Sequence, residues 1–259
     1  MSAWHPFILV MQAAENRAYR VAHRVISMLP AAEAHMRQHG LAPGKFVYVP
    51  NGIDPVEWER SRDALPSPVR SALGAFRQRH PFLVGYAGAH GLANALDALV
   101  EAAAMLEPGS GVVLVGQGPE KARLEALASG RRLGNVLFLP PVAKGAVPAL
   151  LAEFDALYIG LQRQPLFRFG VSPNKLIDYM MAGKPVIHAI EAGNDLVAEA
   201  GCGLSVTPEE PAAVAGAARS LRAMSAEARS ELGLRGRRHV LQNHAYPVLA
   251  RRFLDALQG

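Results

Sequence analysis

The densest chemistry in the chain lies at Arg168-Phe169-Gly170-Val171-Ser172-Pro173-Asn174-Lys175-Leu176-Ile177-Asp178-Tyr179-Met180. A hydroxyl, an amide and a cation (Ser172, Asn174, Lys175) stand directly before an apolar stretch that begins at Leu176. Serine and asparagine are favoured at helix N-caps because their side-chain oxygens accept orphan backbone N–H groups. Ser172 or Asn174 is therefore expected to cap a helix here. The amides of its first turn, the positive end of its dipole and the Lys175 charge would together seat an anion. Asp178 follows about one turn later, on the face that Asn174 and Lys175 begin. An ionised carboxylate only accepts, so two adjacent hydroxyl donors, such as those of a ribose, suit it. A capped helix with an exposed acid uses the same residues, and the spacing alone leaves both readings open.

Other candidates sit on turns. Gly88-Ala89-His90-Gly91 follows an apolar run, and glycines there let backbone amides approach a phosphate at a helix start. A plain tight turn is the other reading. Gly116-Gln117-Gly118-Pro119-Glu120-Lys121 lacks the third glycine of GxGxxG, and no acid ends the next strand, which leaves dinucleotide binding unsupported. Lys121 reads as a surface helix residue. His35 and His39 are four apart on an expected helix without an apparent third ligand, so an exposed helix face is preferred to a metal site. Cys202, between Gly201 and Gly203, reads as a small buried residue because no base for a nucleophile is identifiable. Met180-Met181 reads as core packing.

The elements that must position these turns alternate along the chain. Apolar residues at helical spacing predict a helix from Pro6 to about His23. A short strand at 24–28 follows, then a helix over 31–38 stopped by Gly40, and a strand at 46–49 ending in Pro50-Asn51-Gly52. The charged stretch from Asp54 to Pro68 has no clean periodicity and reads as a connector. Strands are then expected at 82–87, 112–115, 136–139, 156–159, 186–189 and 204–206. Helices are expected at 93–106, 120–128, 147–154, 176–181 and 195–199, and three more at 211–224, 226–242 and 246–257. Short apolar runs alternating with helices indicate an α/β fold, a Rossmann-like parallel sheet with helices on both faces. In such sheets ligands lie at the carboxyl ends of the strands, which is where the candidate turns fall.

Half of the residues are apolar and 19% are charged, which suits a packed core rather than disorder. The longest apolar runs, such as Phe7 to Met11, are too short to span a bilayer, and no secretory signal pattern opens the chain. A single cysteine excludes an internal disulfide framework and fits a reducing compartment, so a cytoplasmic protein is expected. The net charge of +5 comes mostly from arginine, with pairs at Arg131-Arg132, Arg237-Arg238 and Arg251-Arg252. Such basicity suits a phosphorylated ligand, an anionic membrane surface or simply a solvated face. Aromatic residues make up only 7% and do not interleave with the basic ones, which argues against nucleic acid.

The run from Ser172 through Asp178 to Gly183-Lys184-Pro185-Val186 resembles the nucleotide-sugar motif of family 4 (group 1) GT-B glycosyltransferases. The resemblance is to the Ser-Pro-Asn-Lys branch of bacterial members that build cell-surface polysaccharides. It extends over nearly the whole chain. Val47-Tyr48-Val49-Pro50-Asn51-Gly52-Ile53-Asp54 resembles the family's crossover, and Val113 to Pro119 and Ala200 to Leu204 fall in register. The likeness implies the C-terminal half of a GT-B fold, with residues 81–242 as the nucleotide-sugar-binding domain and 243–259 as a closing helix. Residues 51–80 would form the crossover and 1–50 a remnant of the acceptor domain, which is otherwise missing.

The same resemblance implies roles. Lys175 and Asp178 would serve as the catalytic pair, Asp178 standing for the second acid of a Glu-x7-Glu pattern that holds the ribose. Ser172, Pro173, Asn174, Lys175 and Leu176 would meet the diphosphate. Gly88 and Gly91 would admit it to the first loop, and Pro141 and Val142 would border the base. His90 and Arg168 are further diphosphate candidates, and Gly193 and Asn194 are candidates for the donor sugar or phosphate. Two departures stand out besides the short N-terminal part: Gly170 occupies the place of the first acid, and Ala89 and Asn94 the places of the loop's Arg and Lys. The absence of any Asp-x-Asp agrees with a metal-independent reaction that needs no cofactor.

The expected activity is retaining transfer from a nucleotide-sugar, UDP-linked, to a glycan or lipid-linked acceptor. The chain would be a shortened gene product or the donor subunit of a split enzyme, with an N-terminal-domain partner at a membrane surface. Two rival readings are a non-catalytic nucleotide-sugar-binding scaffold and a sugar-nucleotide epimerase of the same fold.

Overall fold

The computed structural model describes residues 5–61 and 63–258. An N-terminal helix α1 (Pro6–Val21) leads to β1 (Val25–Ser27), α2 (Glu33–Gln38) and β2 (Phe46–Tyr48), and the two strands pair in parallel as a small separate sheet. The crossover then brings α3 (Pro55–Arg60) and α4 (Ser67–Arg79). Beyond them the chain alternates through β3 (Phe82–Ala87), α5 (Leu96–Ala102), β4 (Ser110–Val115), α6 (Lys121–Gly130), β5 (Val136–Leu139), α7 (Val147–Ala152), β6 (Ala156–Gly160), α8 (Asn174–Met181), β7 (Val186–Ala189), α9 (Leu196–Ala200) and β8 (Gly203–Ser205). Three helices follow: α10 (Pro211–Ala223), α11 (Ala226–Asn243) and α12 (Tyr246–Gln258).

The six strands from β3 to β8 form one parallel sheet in the order β5-β4-β3-β6-β7-β8. This is a doubly wound sheet whose strand order reverses between β3 and β6, the place where such folds bind ligands. Its inner strands β3, β4 and β6 are largely apolar because both faces are covered. One face buries Leu83, Val113 and Leu157 against Phe76, Leu150, Phe154, Tyr179 and Val240. The other buries Val84, Tyr86, Leu114 and Tyr158 against Leu99, Leu124, Val214 and Leu221.

Two expectations need correction. The stretch from Asp54 to Pro68 is no bare connector. The Asp54 carboxylate caps α3 by accepting from the Val56 and Glu57 amides, with Pro55 in the first turn, and α4 begins at Ser67-Pro68. α4 sends Val69, Leu73 and Phe76 into the core. The helix expected over 93–106 is also interrupted. A 3-10 turn (Leu92–Asn94) precedes Ala95, which stands in the left-handed region at φ 46°, so the α-helix starts only at Leu96.

The crossover is locked to the C-terminal helices. Ile53 bridges Ala245, its amide donates to His244 O and its carbonyl accepts from the Tyr246 amide, both at 2.9 Å. Among the described residues no helix is long and apolar enough to cross a membrane.

Candidate functional site

Three structures converge at the carboxyl ends of β3, β4 and β5: the first loop after β3, the loop after β4, and the start of α8. The first two loops are pinned to each other by backbone bonds from Gly88 N to Val115 O and from His90 N to Gln117 O, both 2.9 Å. They touch so closely that a Cβ on Gly116, at φ 150°, would collide with Gly88 O. Lys121, expected at the surface, instead donates to Gly116 O (3.1 Å) and Leu139 O (3.2 Å), stapling the ends of β4 and β5 beneath the site.

α8 starts differently from expectation. Pro173 takes the N-cap position, with no side-chain cap, and Asn174 is the first helical residue. Ser172 lies outside the helix and turns to the crossover. Its hydroxyl accepts from the Asn51 amide at 2.9 Å, and its carbonyl accepts from the Asn51 side chain at 2.5 Å. The Leu176 amide is bound to Pro173 O and its side chain is buried, so Leu176 serves the core and not the cleft. The Asn174 and Lys175 amides are left to head the helix.

Lys175 reaches back from α8 across the first loop. Its ammonium donates to the Tyr86 hydroxyl (2.6 Å) and to Asn94 Oδ1 (3.1 Å) and lies 4.2 Å from the Tyr86 ring centre. No carboxylate pairs with it among the described residues. Burial lowers its pKa to about 8, so an anion arriving here would meet a cation that lacks a counter-charge. Asp178, three residues on, makes no side-chain hydrogen bond among the described residues. Burial raises its pKa to about 6, with Lys144 opposing. The Tyr179 hydroxyl accepts from Ala87 N (2.8 Å) and donates to Ala87 O (3.1 Å), fixing α8 to the end of β3.

These groups wall a cleft of about 640 Å³ whose lining includes Gly88, Gln117, Pro141, Val142, Lys175 and Asp178. The size suits a small-molecule ligand. A second cavity of about 300 Å³ adjoins it across Asp178, between α3, Lys144, Asn174 and Tyr246.

Several expected site residues lie elsewhere. His90 is fully buried between the Tyr86 and Phe138 rings and does not line the cleft. Burial, reinforced by Lys121 and Lys175, lowers its pKa to about 4 and keeps it neutral. Gly91 precedes the 3-10 turn rather than an α-helix and is likewise off the cleft wall. Arg168, Gly193 and Asn194 form a separate layer. Arg168 donates to Pro165 O and stacks on Phe169, and Gly193 N donates to Phe167 O. The Asn194 amide pairs with both backbone groups of Val171, at 2.8 and 3.1 Å. Gly170 closes this layer at φ 101°, where a Cβ would meet Pro30 at 2.6 Å and Asn194 Oδ1 at 3.0 Å. The His35 and His39 rings lie 4.4 Å apart, tilted by 53°, with His39 held by Gln12 and Asn16, and no metal-ligand group of three occurs among the described residues. Cys202 is buried, as expected.

Tyr86, Asn94 and Tyr179 hold Lys175 and α8 in place, and none of the three stands out in the residue order as a site group. Tyr86 sits inside an apolar run, and Tyr179 stands between Asp178 and the core residues Met180 and Met181, so neither is marked out by its neighbours. Asn94 has a signal, because it stands where the resembled family carries a lysine.

Fold and site together define a Rossmann-like domain of the GT-B class, with its cleft at the switch of strand order. Residues 81–223 match the family described as glycosyl transferases group 1, more than half of the chain, and the chain belongs to that family. It is 29% identical over 160 residues to the putative colanic acid biosynthesis glycosyl transferase WcaI of Escherichia coli (strain K12), a match over 61% of this chain and 38% of that protein. In structure it is similar to Anabaena Alr3699/HepE in complex with UDP and glucose (TM-score 0.72, 21% identity, 96% of this chain and 66% of that one). It is also similar to WaaG, a glycosyltransferase involved in lipopolysaccharide biosynthesis (TM-score 0.70, 18% identity, 99% and 69%). The chain thus spans well under half of the curated relative and about two thirds of these structures.

Proposed function

We propose that the chain is the donor-binding part of a retaining glycosyltransferase that uses a UDP-linked sugar in cell-surface polysaccharide synthesis. The observation that carries this is the pairing, in one cleft, of a lysine without a counter-carboxylate and an aspartate without a side-chain hydrogen bond among the described residues. The first suits a diphosphate at a helix start, the second the two hydroxyls of a ribose. Pro141 and Val142 would border the base. The UDP held by the similar HepE structure and the biosynthetic roles in the names of WcaI (colanic acid) and WaaG (lipopolysaccharide) support the same reading. Lys175 and the amides heading α8 would stabilise the departing diphosphate electrostatically, with no protein nucleophile required. The acceptor, a glycan or lipid-linked sugar, would be bound by an N-terminal domain or partner subunit at the cytoplasmic membrane face.

Gly170 favours a second reading, a non-catalytic nucleotide-sugar-binding subunit, because the acid of the resembled pattern is replaced. Calorimetry with UDP, GDP, ADP and their sugars tests the donor site, and failure of every nucleotide diphosphate to bind would sink it. Binding without turnover that an N-terminal domain or partner restores supports the split transferase over the scaffold.

A further inference from the structure

We infer that the cavity on the far side of Asp178 is a saccharide subsite that takes one neutral sugar ring. It is lined by Trp58 and Tyr246, by the Glu57–Lys144 ion pair, and by Asn174 and Asp178. At about 300 Å³ it stands at the small end of ligand pockets, room for a ring and not for a nucleotide, which the neighbouring cleft of about 640 Å³ accommodates.

The lining has the two properties that a sugar needs. A pyranose offers an apolar C–H face and a rim of hydroxyls that both donate and accept. Trp58 is packed against the core and so held in place, while Tyr246 keeps 54% of its surface exposed and its ring free for a ligand. Aromatic faces of this kind combine a large apolar area with a polar tip. The rim groups are of mixed type. Glu57 and Lys144 pair at 2.8 Å, which leaves ammonium donors and carboxylate acceptors over, and the Asn174 side chain makes no hydrogen bond among the described residues. Asp54 spends one carboxylate oxygen on the α3 cap.

Charge among the described residues disfavours an anionic occupant. Of these, the one cation in the wall, Lys144, is already paired, and Asp54 and Asp178 would repel a phosphate or carboxylate. The place of the pocket beside the donor cleft suits a sugar of the glycan away from the acceptor end that an N-terminal domain or partner would hold, and only that assignment rests on the function proposed above.

Tryptophan makes the test direct. The chain has two, Trp4 and Trp58, so a Trp4→Phe chain reports from Trp58 alone. The indole N–H resonance of that ¹⁵N-labelled chain is followed while methyl glycosides of glucose, galactose and N-acetylglucosamine are added at millimolar concentration, and UDP affinity is measured in parallel by calorimetry. At least one glycoside should give a saturable shift. Tyr246→Ala and Glu57→Gln should each weaken it about fivefold, as removal of one ring face or one hydrogen bond would, with UDP affinity changed less than about twofold. UDP binding with no glycoside moving Trp58, or both variants titrating like the parent, overturns the inference. So does a loss of UDP affinity of about tenfold in either variant, which would give the pocket to the base. A saturable sugar shift in a chain that binds no nucleotide supports the subsite while overturning the donor reading.

Discussion

Replacing Lys175 by methionine removes one charge and little else. The aliphatic stem is kept, and the Tyr86 hydroxyl that accepts from the ammonium at 2.6 Å still donates to Ala89 O at 2.6 Å, so no buried group is orphaned. Asn94 keeps a bond from its amide to Ala89 O. The fold should therefore survive. On the proposed reading, what should disappear is a charge-assisted hydrogen bond to a phosphate, about 1.5–3 kcal/mol, or roughly 10–150-fold in Kd for UDP. The geometry also specifies a rescue. Because the Lys175 ammonium rests 3.1 Å from Asn94 Oδ1, a lysine at position 94 would deliver its own ammonium to the same space. In calorimetry, Lys175→Met should weaken UDP by the stated factor, and Asn94→Lys/Lys175→Met should recover most of it. A Lys175→Met protein with native circular dichroism and unchanged UDP affinity would refute the phosphate role. A double variant no better than the single one would refute the shared location.

Three further outcomes follow from the same geometry. UDP affinity should be greatest between about pH 6 and about pH 8: below that window Asp178 gains a proton and stops accepting, and above it Lys175 loses its charge, so a flat titration from pH 5 to 9 would contradict both assignments. In the ligand-free chain Asp178 acts with the opposite sign, because its folded pKa is raised. Its contribution to stability is complete below the ordinary carboxylate range and declines as pH climbs to about 6, which urea titrations of the parent and Asp178→Asn compared across that range would show. Gly170→Glu should destabilise the fold by about 1–3 kcal/mol and fail to improve binding, since it demands a left-handed backbone and a Cβ only 2.6 Å from the Pro30 ring; a stable variant with tighter UDP-sugar binding would overturn that.

How far the residues themselves foretell this depends on which force is in charge. The strand at 82–87 falls where expected because a strand buried on both faces reads as an apolar run, a signal that needs no partner to interpret. Those at 136–139 and 186–189 keep enough of it, although the first is half-buried at the sheet edge and the second carries His188. α3 escapes the pattern although Asp54-Pro55 is a start signal, since a six-residue helix is too short for its period to be seen. The cap of α8 differs from expectation for another reason: Ser172 finds its donor in Asn51, 121 positions away, and no local rule weighs a partner that distant. His90 shows the same limit. A loop histidine beside glycines looks like a ligand group, but its burial is decided by Tyr86 and Phe138 from two separate strands.

On the proposed reading, a displaced charge would explain how the first loop departs from the resembled pattern without emptying the cleft. A cation carried on a loop must be held by that loop, whereas Lys175 springs from the first turn of α8, which the Tyr179 hydroxyl fixes to the end of β3. The loop would then need only to approach closely, which Gly88 on it and Gly116 on the loop after β4 allow. The missing acid has no such replacement, because Pro30 and Asn194 crowd the position where its Cβ would stand. The two departures therefore differ in kind. The cation is moved, so nucleotide binding should persist. The acid is removed together with the space for it, so on the proposed reading a donor sugar would be recognised without a carboxylate at position 170.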